Sequence, residues 1–174
     1  MVKTSTTIDC DDFGSRCYIS NDILIFLLDR KLLYCCTLTT IGMPHITPVM
    51  YNYEMNRCLI SFLIQKNSVK ARNLKSNPYV SFTADTTHQT DPLMNSGIMI
   101  NAVATFSDTT DEIREVFQRL QRRYSSHMIP ELVGAYTLKS DLLVKASIFK
   151  IVYWKGPFFK RFVCKKRKPS YQTR

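Results

Sequence analysis

Ser68, Lys70 and Arg72 stand at alternate positions where an apolar strand-like segment gives way to a helix, and that pattern suits an anion. A helix N-terminus presents unpaired N–H groups and the positive end of the helix dipole. A serine hydroxyl and two cations in the first turn add charge-assisted hydrogen bonds. Ser68 and Lys70 are therefore the first candidates for holding a phosphate, with Arg72 assisting. The same residues also describe an ordinary capped surface helix with two solvated cations, and their types alone leave both readings open.

Other chemistry is sparsely represented. The three histidines, His45, His88 and His127, are spread over turn, polar-loop and irregular segments. No Ser-His-Asp order or nucleophile elbow occurs, and five scattered glycines make no dinucleotide loop. The six cysteines, at 10, 17, 35, 36, 58 and 164, include no Cys-x-x-Cys pair, so no metal site is expected. Cys35, Cys36 and Cys58 fall in strand-like apolar segments and read as small reduced hydrophobes, which suits the cytoplasm. Adjacent Cys35 and Cys36 would point to opposite faces of a strand and bridge only with strain. No residue stands out as a general acid or base, so the catalytic residues are unknown at this level.

The length of 174 residues suits one domain able to bury roughly 70% of its unfolded surface. Hydrophobic residues make up 45% and charged residues 22%, a globular rather than a disordered balance. The longest apolar run, Ile23 to Leu28, is too short to span a bilayer, and the first ten residues, rich in Thr, Ser and Asp, do not read as a secretory leader. The net charge is +10, yet eight Lys or Arg and no acid lie from Lys155 onward, leaving 16 bases against 14 acids in the preceding 154 residues. The basic character belongs to the C-terminal end. That weakens a nucleic-acid platform as the role of the whole fold, while leaving the tail able to meet a nucleic acid or an anionic surface.

The elements that must position the candidates follow from periodicity. Residues 1–19 show no sustained period and read as a flexible arm. Ser20-Asn21-Asp22 caps a short helix whose apolar face is Ile23, Leu24, Leu27 and Leu28, ending near Arg30 and Lys31. Strands are expected over 32–40, 45–53 and 58–64, joined by turns at 41–44 and 54–57 as an antiparallel meander. A helix over 68–74 stops before Asn77-Pro78; strands follow at 79–84 and 97–107, separated by a polar loop at 85–96. Thr109-x-x-Glu112 reads as a capping box for a helix bearing Ile113, Val116, Phe117, Leu120 and Tyr124. Residues 125–140 read as an irregular connection and 142–154 as the last strand. Short antiparallel strands with helices at the corners suggest a barrel, which removes sheet edges. The expected domain runs from 20 to 157, and a basic tail from 158 to 174.

The ordered run Gly42-Met-Pro44, Thr47-Pro48-Val49, Ser68-Val-Lys70-Ala-Arg-Asn-Leu74, then Asn77-Pro78 and a strand, resembles the FMN-binding split β-barrel superfamily, the pyridoxamine 5′-phosphate oxidase-like proteins. The likeness covers about residues 24–152 and is densest over 42–82. It implies a mainly-β (α+β) split antiparallel barrel with helices at the corners, a homodimer, and FMN held at the subunit interface. It further implies a two-electron oxidoreductase acting on a small molecule. Ser68, Lys70 and Arg72 would meet the phosphate. Thr47, Pro48 and Val49, on an edge strand where proline is tolerated, and Ser61, Phe62 and Leu63 on the neighbouring strand would line the flavin. Trp154, in the segment Trp154-Lys-Gly-Pro-Phe-Phe-Lys-Arg-Phe, would lie near the partner's cofactor.

Departures from the pattern matter. The oxidase carries basic groups on its second strand at positions matching roughly Thr47 and Asn52, which are neutral here, and its C-terminal His-Asp-Arg and Trp…Arg substrate motifs are missing. Pyridoxamine phosphate is thus not the expected substrate. Similar barrels accept a deazaflavin coenzyme in place of FMN, and some bind haem, so a deazaflavin-dependent reductase and a non-catalytic flavin or haem carrier or redox sensor are the alternatives.

Overall fold

The computed structural model describes residues 19–88, 90–124 and 141–163. Chain order is α1 (Asn21–Asp29), β1 (Leu33–Leu38), β2 (Pro44–Val49), β3 (Asn52–Glu54), β4 (Leu59–Gln65), α2 (Val69–Ser76), β5 (Tyr79–Asp85), β6 (Ser96–Ser107), α3 (Thr110–Tyr124), β7 (Asp141–Lys155) and β8 (Phe158–Val163), with 3-10 turns at Met55–Arg57 and Pro92–Met94. All strands join one antiparallel sheet in the order β2-β1-β5-β6-β7-β4-β3, and β8 pairs with the far half of β7. The two edge strands of that path, β2 and β3, are consecutive in the chain and only Met50 and Tyr51 separate them. Joining both edges through two residues forces the sheet to curl, which gives the expected mainly-β split barrel.

One face of β1 and of β4 to β7 fills the barrel. Cys35, Ile60, Phe62, Ile64, Val80, Phe82, Ile98, Ile100, Ala102 and Val144 belong to a single core, with Phe62 and Phe82 edge-to-face at 5.7 Å. A bulge at Phe149 lets Asn101 pair with Lys150 while Ala102 pairs with Ile148. The extra residue reverses the alternation, so Ile148 and Ile151 both face inward. Outside the barrel, Ile113, Val116, Leu120 and Tyr124 of α3 cover Leu63 and Leu143. At its end, α1 inserts Ile23, Phe26 and Leu27, with Phe26 edge-on to Tyr153 at 5.8 Å.

The single strand expected over 45–53 is two. Tyr51 gives its N–H to the Tyr124 hydroxyl at 3.1 Å, and its carbonyl lies 3.2 Å from the same oxygen, so its main chain is taken out of the ladder. The capping box does not close: the Glu112 carboxylate accepts from Lys145 on β7 at 2.6 Å, and the Thr109 N–H goes to the Ser107 hydroxyl instead. Phe158–Val163, expected to begin the tail, continue the sheet as β8. A two-residue turn, Gly156-Pro157, makes this hairpin, with Gly156 at φ +55°. Cys58, expected to be reduced, is disulfide-bonded, whereas Cys35 and Cys36 are free. The arm over 1–18, the connection over 125–140 with His127, and the chain beyond 163 lie outside the described residues. No helix among those described is long and apolar enough to cross a membrane, and no described cluster of His, Cys, Asp or Glu could hold a metal.

Candidate functional site

The break at Tyr51 leaves an opening with a defined border. β3 pairs with Leu59, Ile60 and Ser61 only, so Phe62 to Gln65 have β7 on one side and no strand on the other among the described residues. Had the strand run on without interruption, the register Asn52↔Ser61 would place Val49 opposite Ile64 and Pro48 opposite Gln65. Instead β2 turns away and, among the described residues, pairs through Thr47, Pro48 and Val49 with β1 alone. Two unpaired main-chain edges, one from Thr47–Val49 and one from Phe62–Gln65, thus border the split. Pro48 sits on the edge strand, where its missing N–H costs no ladder bond.

Helix α2 starts where the β4 edge of this split ends. Ser68 is its N-cap: the hydroxyl accepts from the Ala71 N–H at 3.2 Å and donates to the Gln65 carbonyl at 2.8 Å. Its carbonyl takes the Arg72 N–H. The capping reading of Ser68 is therefore realised, and its proton is engaged within the turn. Arg72 is exposed and folds back onto the Asn67 carbonyl at 2.9 Å, outside the barrel wall.

Lys70 points the other way. It is half-buried close to Cys35 on the inner face of β1; burial holds its pKa below the ordinary 10.5, and the neighbouring thiol raises it again only in part. Burial pushes the Cys35 thiol up to about 12, against the pull of Lys70, so at neutral pH that sulfur is uncharged. No carboxylate pairs with Lys70 among the described residues. A desolvated cation without a counter-charge is costly unless something supplies one. Nearby, Thr47 lies opposite Cys35 in the β1–β2 ladder, and its Oγ1 is buried with no hydrogen-bond partner among the described residues; the same holds for His45 Nδ1 on that face. An unmatched cation beside orphaned polar atoms at the end of an open split fits a phosphate-bearing group.

The remaining sequence candidates are placed less uniformly. Val49 is in the core, and so is Phe62, whose side chain is fully buried. Ser61 and Leu63 face the α3 side; the Ser61 hydroxyl contacts Glu54 Oε1 at 3.4 Å. Alternation on β4 thus prevents Ser61, Phe62 and Leu63 from presenting three side chains to one ligand, although Phe62 and Leu63 share the open main-chain edge. Trp154 lies at the far end of β7 against Gly97, where a Cβ would fall 2.0 Å from the indole Cζ2. With Tyr34, Cys36, Ile46, Met99 and Val152 it lines an apolar groove of about 430 Å3 on the outer face of the sheet.

A polar groove that the sequence did not reveal, of about 560 Å3, runs between α3 and β3, lined by Asn52, Glu54, Arg57, Glu115, Arg119 and Lys145 among others. Its charges satisfy each other: Glu54 with Arg57 at 3.8 Å and Arg119 at 3.7 Å, Arg119 with Glu115 at 2.5 Å, and Lys145 with Glu112 at 2.6 Å. The Lys145 bond is the main reason the Glu112 carboxyl is held below its ordinary range. With each charge matched, this groove offers no surplus for an anion.

Curled sheet, split edge and corner helices define the split-barrel class. The sequence profile of the pyridoxamine 5′-phosphate oxidase family matches residues 22–155, most of the chain, and the chain belongs to that family. No curated protein matches it in sequence. Solved structures share its fold. A conserved hypothetical protein from Mycobacterium tuberculosis is 19% identical with a TM-score of 0.61, the match covering 84% of this chain and 86% of that one. The heme storage protein of Vibrio cholerae is 21% identical with a TM-score of 0.60, covering 73% and 87%. An F420 reductase is 15% identical with a TM-score of 0.55, covering 72% and 93%.

Proposed function

We propose that the protein is an FMN-dependent oxidoreductase acting on a small molecule as a homodimer. The observation that carries this reading is Lys70, half-buried and, among the described residues, without a carboxylate partner, at the end of a split bordered by two main-chain edges that no described strand pairs. Lys70 would hold the cofactor phosphate together with the N-terminus of α2, and Arg72 is available by a change of rotamer. The main chain of Thr47–Val49 and of Phe62–Leu63 would meet the polar rim of the ring. Bound FMN supplies two-electron transfer; the residues of this chain bind it, orient it and exclude water. Holding a substrate face to face with the ring requires no protein acid or base.

The exposed apolar groove with Tyr34 (50% exposed), Ile46 (60% exposed) and Trp154 is the face on which a second copy would close the split. Such a patch is expensive to leave in water. Trp154 would then approach the partner's cofactor.

A deazaflavin coenzyme is the second reading, supported by the likeness to an F420 reductase. The test is titration of the purified chain with FMN and with riboflavin, together with the absorption spectrum of any chromophore that copurifies. FMN bound more tightly than riboflavin supports the proposal. A Soret band, or binding of neither flavin, overturns it.

A further inference from the structure

The inner face of β2 carries more unmet polar groups than Lys70 alone accounts for. In the β1–β2 ladder His45 lies opposite Thr37, and Thr47 opposite Cys35, all on one face because the residues alternate by two. Helix α2 crosses this face. Asn73 Nδ2 donates to Thr37 Oγ1 at 3.0 Å, and Lys70, one turn earlier, lies close to Cys35. Two rows result: Asn73, Thr37 and His45 in one, Lys70, Cys35 and Thr47 in the other.

Within these rows Thr37, Cys35 and Asn73 are sealed, and the Thr37 hydroxyl is also placed 3.4 Å from the His45 carbonyl. Three groups are left over on the β2 and α2 sides: His45 Nδ1, Thr47 Oγ1 and the Lys70 ammonium. Both β2 atoms are shielded from solvent and meet no hydrogen-bond partner among the described residues. All three can donate, and no carboxylate of the described residues stands among them. Buried polar groups of a folded chain are normally satisfied, and donors left without an acceptor mark the place of one that arrives with a ligand. A set of donors with one fixed positive charge selects an oxyanion.

We propose that His45, with Thr47, forms the wall of the phosphate subsite that faces Lys70, Nδ1–H donating to a phosphate oxygen. This rests on the FMN reading above. Tightening around a phosphomonoester dianion satisfies the three donors at once, and it makes His45 a positioning residue for the cofactor, distant from the redox ring.

The experiment compares FMN, riboflavin and inorganic phosphate on the wild-type chain and on His45→Phe, His45→Asn, Thr47→Val and Lys70→Met, by quenching of flavin fluorescence. Inorganic phosphate serves as competitor, and thermal melting is the folding control. FMN affinity is expected to fall about tenfold for His45→Phe and for Thr47→Val, as for a lost hydrogen bond to a charged oxygen, with riboflavin affinity unchanged. His45→Asn, which keeps a donor, recovers part of the loss. Inorganic phosphate displaces FMN from the wild type more readily than from His45→Phe. If FMN binds and Lys70→Met weakens it while His45→Phe does not, His45 is outside the subsite and this inference fails alone. If the wild type binds neither flavin, both this inference and the function on which it rests fail.

Discussion

The Arg123 guanidinium lies 4.5 Å above the ring of Tyr51 and donates through Nη2 to the carbonyls of Leu27 and Arg30, both at 2.8 Å. The Tyr51 hydroxyl donates to the Leu27 carbonyl as well and lies 3.1 Å from that of Arg30. One residue on α3 and one in the break between β2 and β3 thus close the C-terminal end of α1, where no cation of the helix's own last turn does so. Tyr124 adds a bond to the Lys31 carbonyl at 2.6 Å. The clasp fixes the bend that opens the split.

Arg123→Met should therefore lower stability by about 2–3 kcal/mol, the scale of charge-assisted hydrogen bonds and a desolvated cation–π contact. Urea unfolding measures it, and a midpoint equal to that of the wild type would contradict the clasp. Tyr51→Phe, which keeps the ring and removes one hydroxyl, should cost less.

Lys70 gives a pH dependence of known sign. Its folded pKa is held below 10.5, so while charged it opposes folding of the ligand-free chain, and that opposition is relieved as pH rises toward 10.5. Lys70→Met should be at least as stable as the wild type at neutral pH and should lack this alkaline gain. FMN affinity should move the other way, falling in the wild type as the ammonium loses its proton below pH 10.5. In Lys70→Met it should be weaker by about 1.5–3 kcal/mol at neutral pH. An affinity indifferent to this residue would remove it from the phosphate site.

Much of the scaffold was legible because apolar alternation and helix spacing are local. The strands around Cys35, Phe62, Phe82 and Ile100, the Ser68 cap and the Ile113–Tyr124 helix all follow from neighbours in the chain. The break at Tyr51 was not, because its cause is the Tyr124 hydroxyl, 73 positions away. Glu112 was misplaced for the same reason, its partner Lys145 being on another strand. At the site, Lys70 and Thr47 were legible as residue types, but the orphaned His45 Nδ1 depends on which face of β2 turns inward. Arg72 illustrates the reverse: a cation in a suggestive position whose side chain is engaged with the Asn67 carbonyl.

Ile46 tests the assembly. A carboxylate introduced on the exposed apolar groove, as in Ile46→Asp, should shift a dimer toward monomer in sedimentation velocity while leaving the fold intact, since 60% of this side chain is exposed within one chain. A wild type that sediments as a monomer at all concentrations would contradict the interface.

The two neighbouring cysteines should differ in reactivity. Cys35 is fully buried with its pKa raised to about 12, whereas Cys36 lies on the outer face and lines the open groove. The thiolate is the reactive form. Iodoacetamide at neutral pH on the Ile46→Asp variant, in which the groove is uncovered, read by mass spectrometry, should label Cys36 well before Cys35; equal labelling would mean that the barrel wall opens.

Equilibrium binding of FMN against riboflavin to the purified chain, with Lys70→Met beside it, tests whether Lys70 holds the cofactor phosphate. FMN should bind the wild type about tenfold or more tightly than riboflavin, and the preference should disappear in the variant. Equal affinity for the two flavins, or a preference that survives removal of the lysine, would contradict that role.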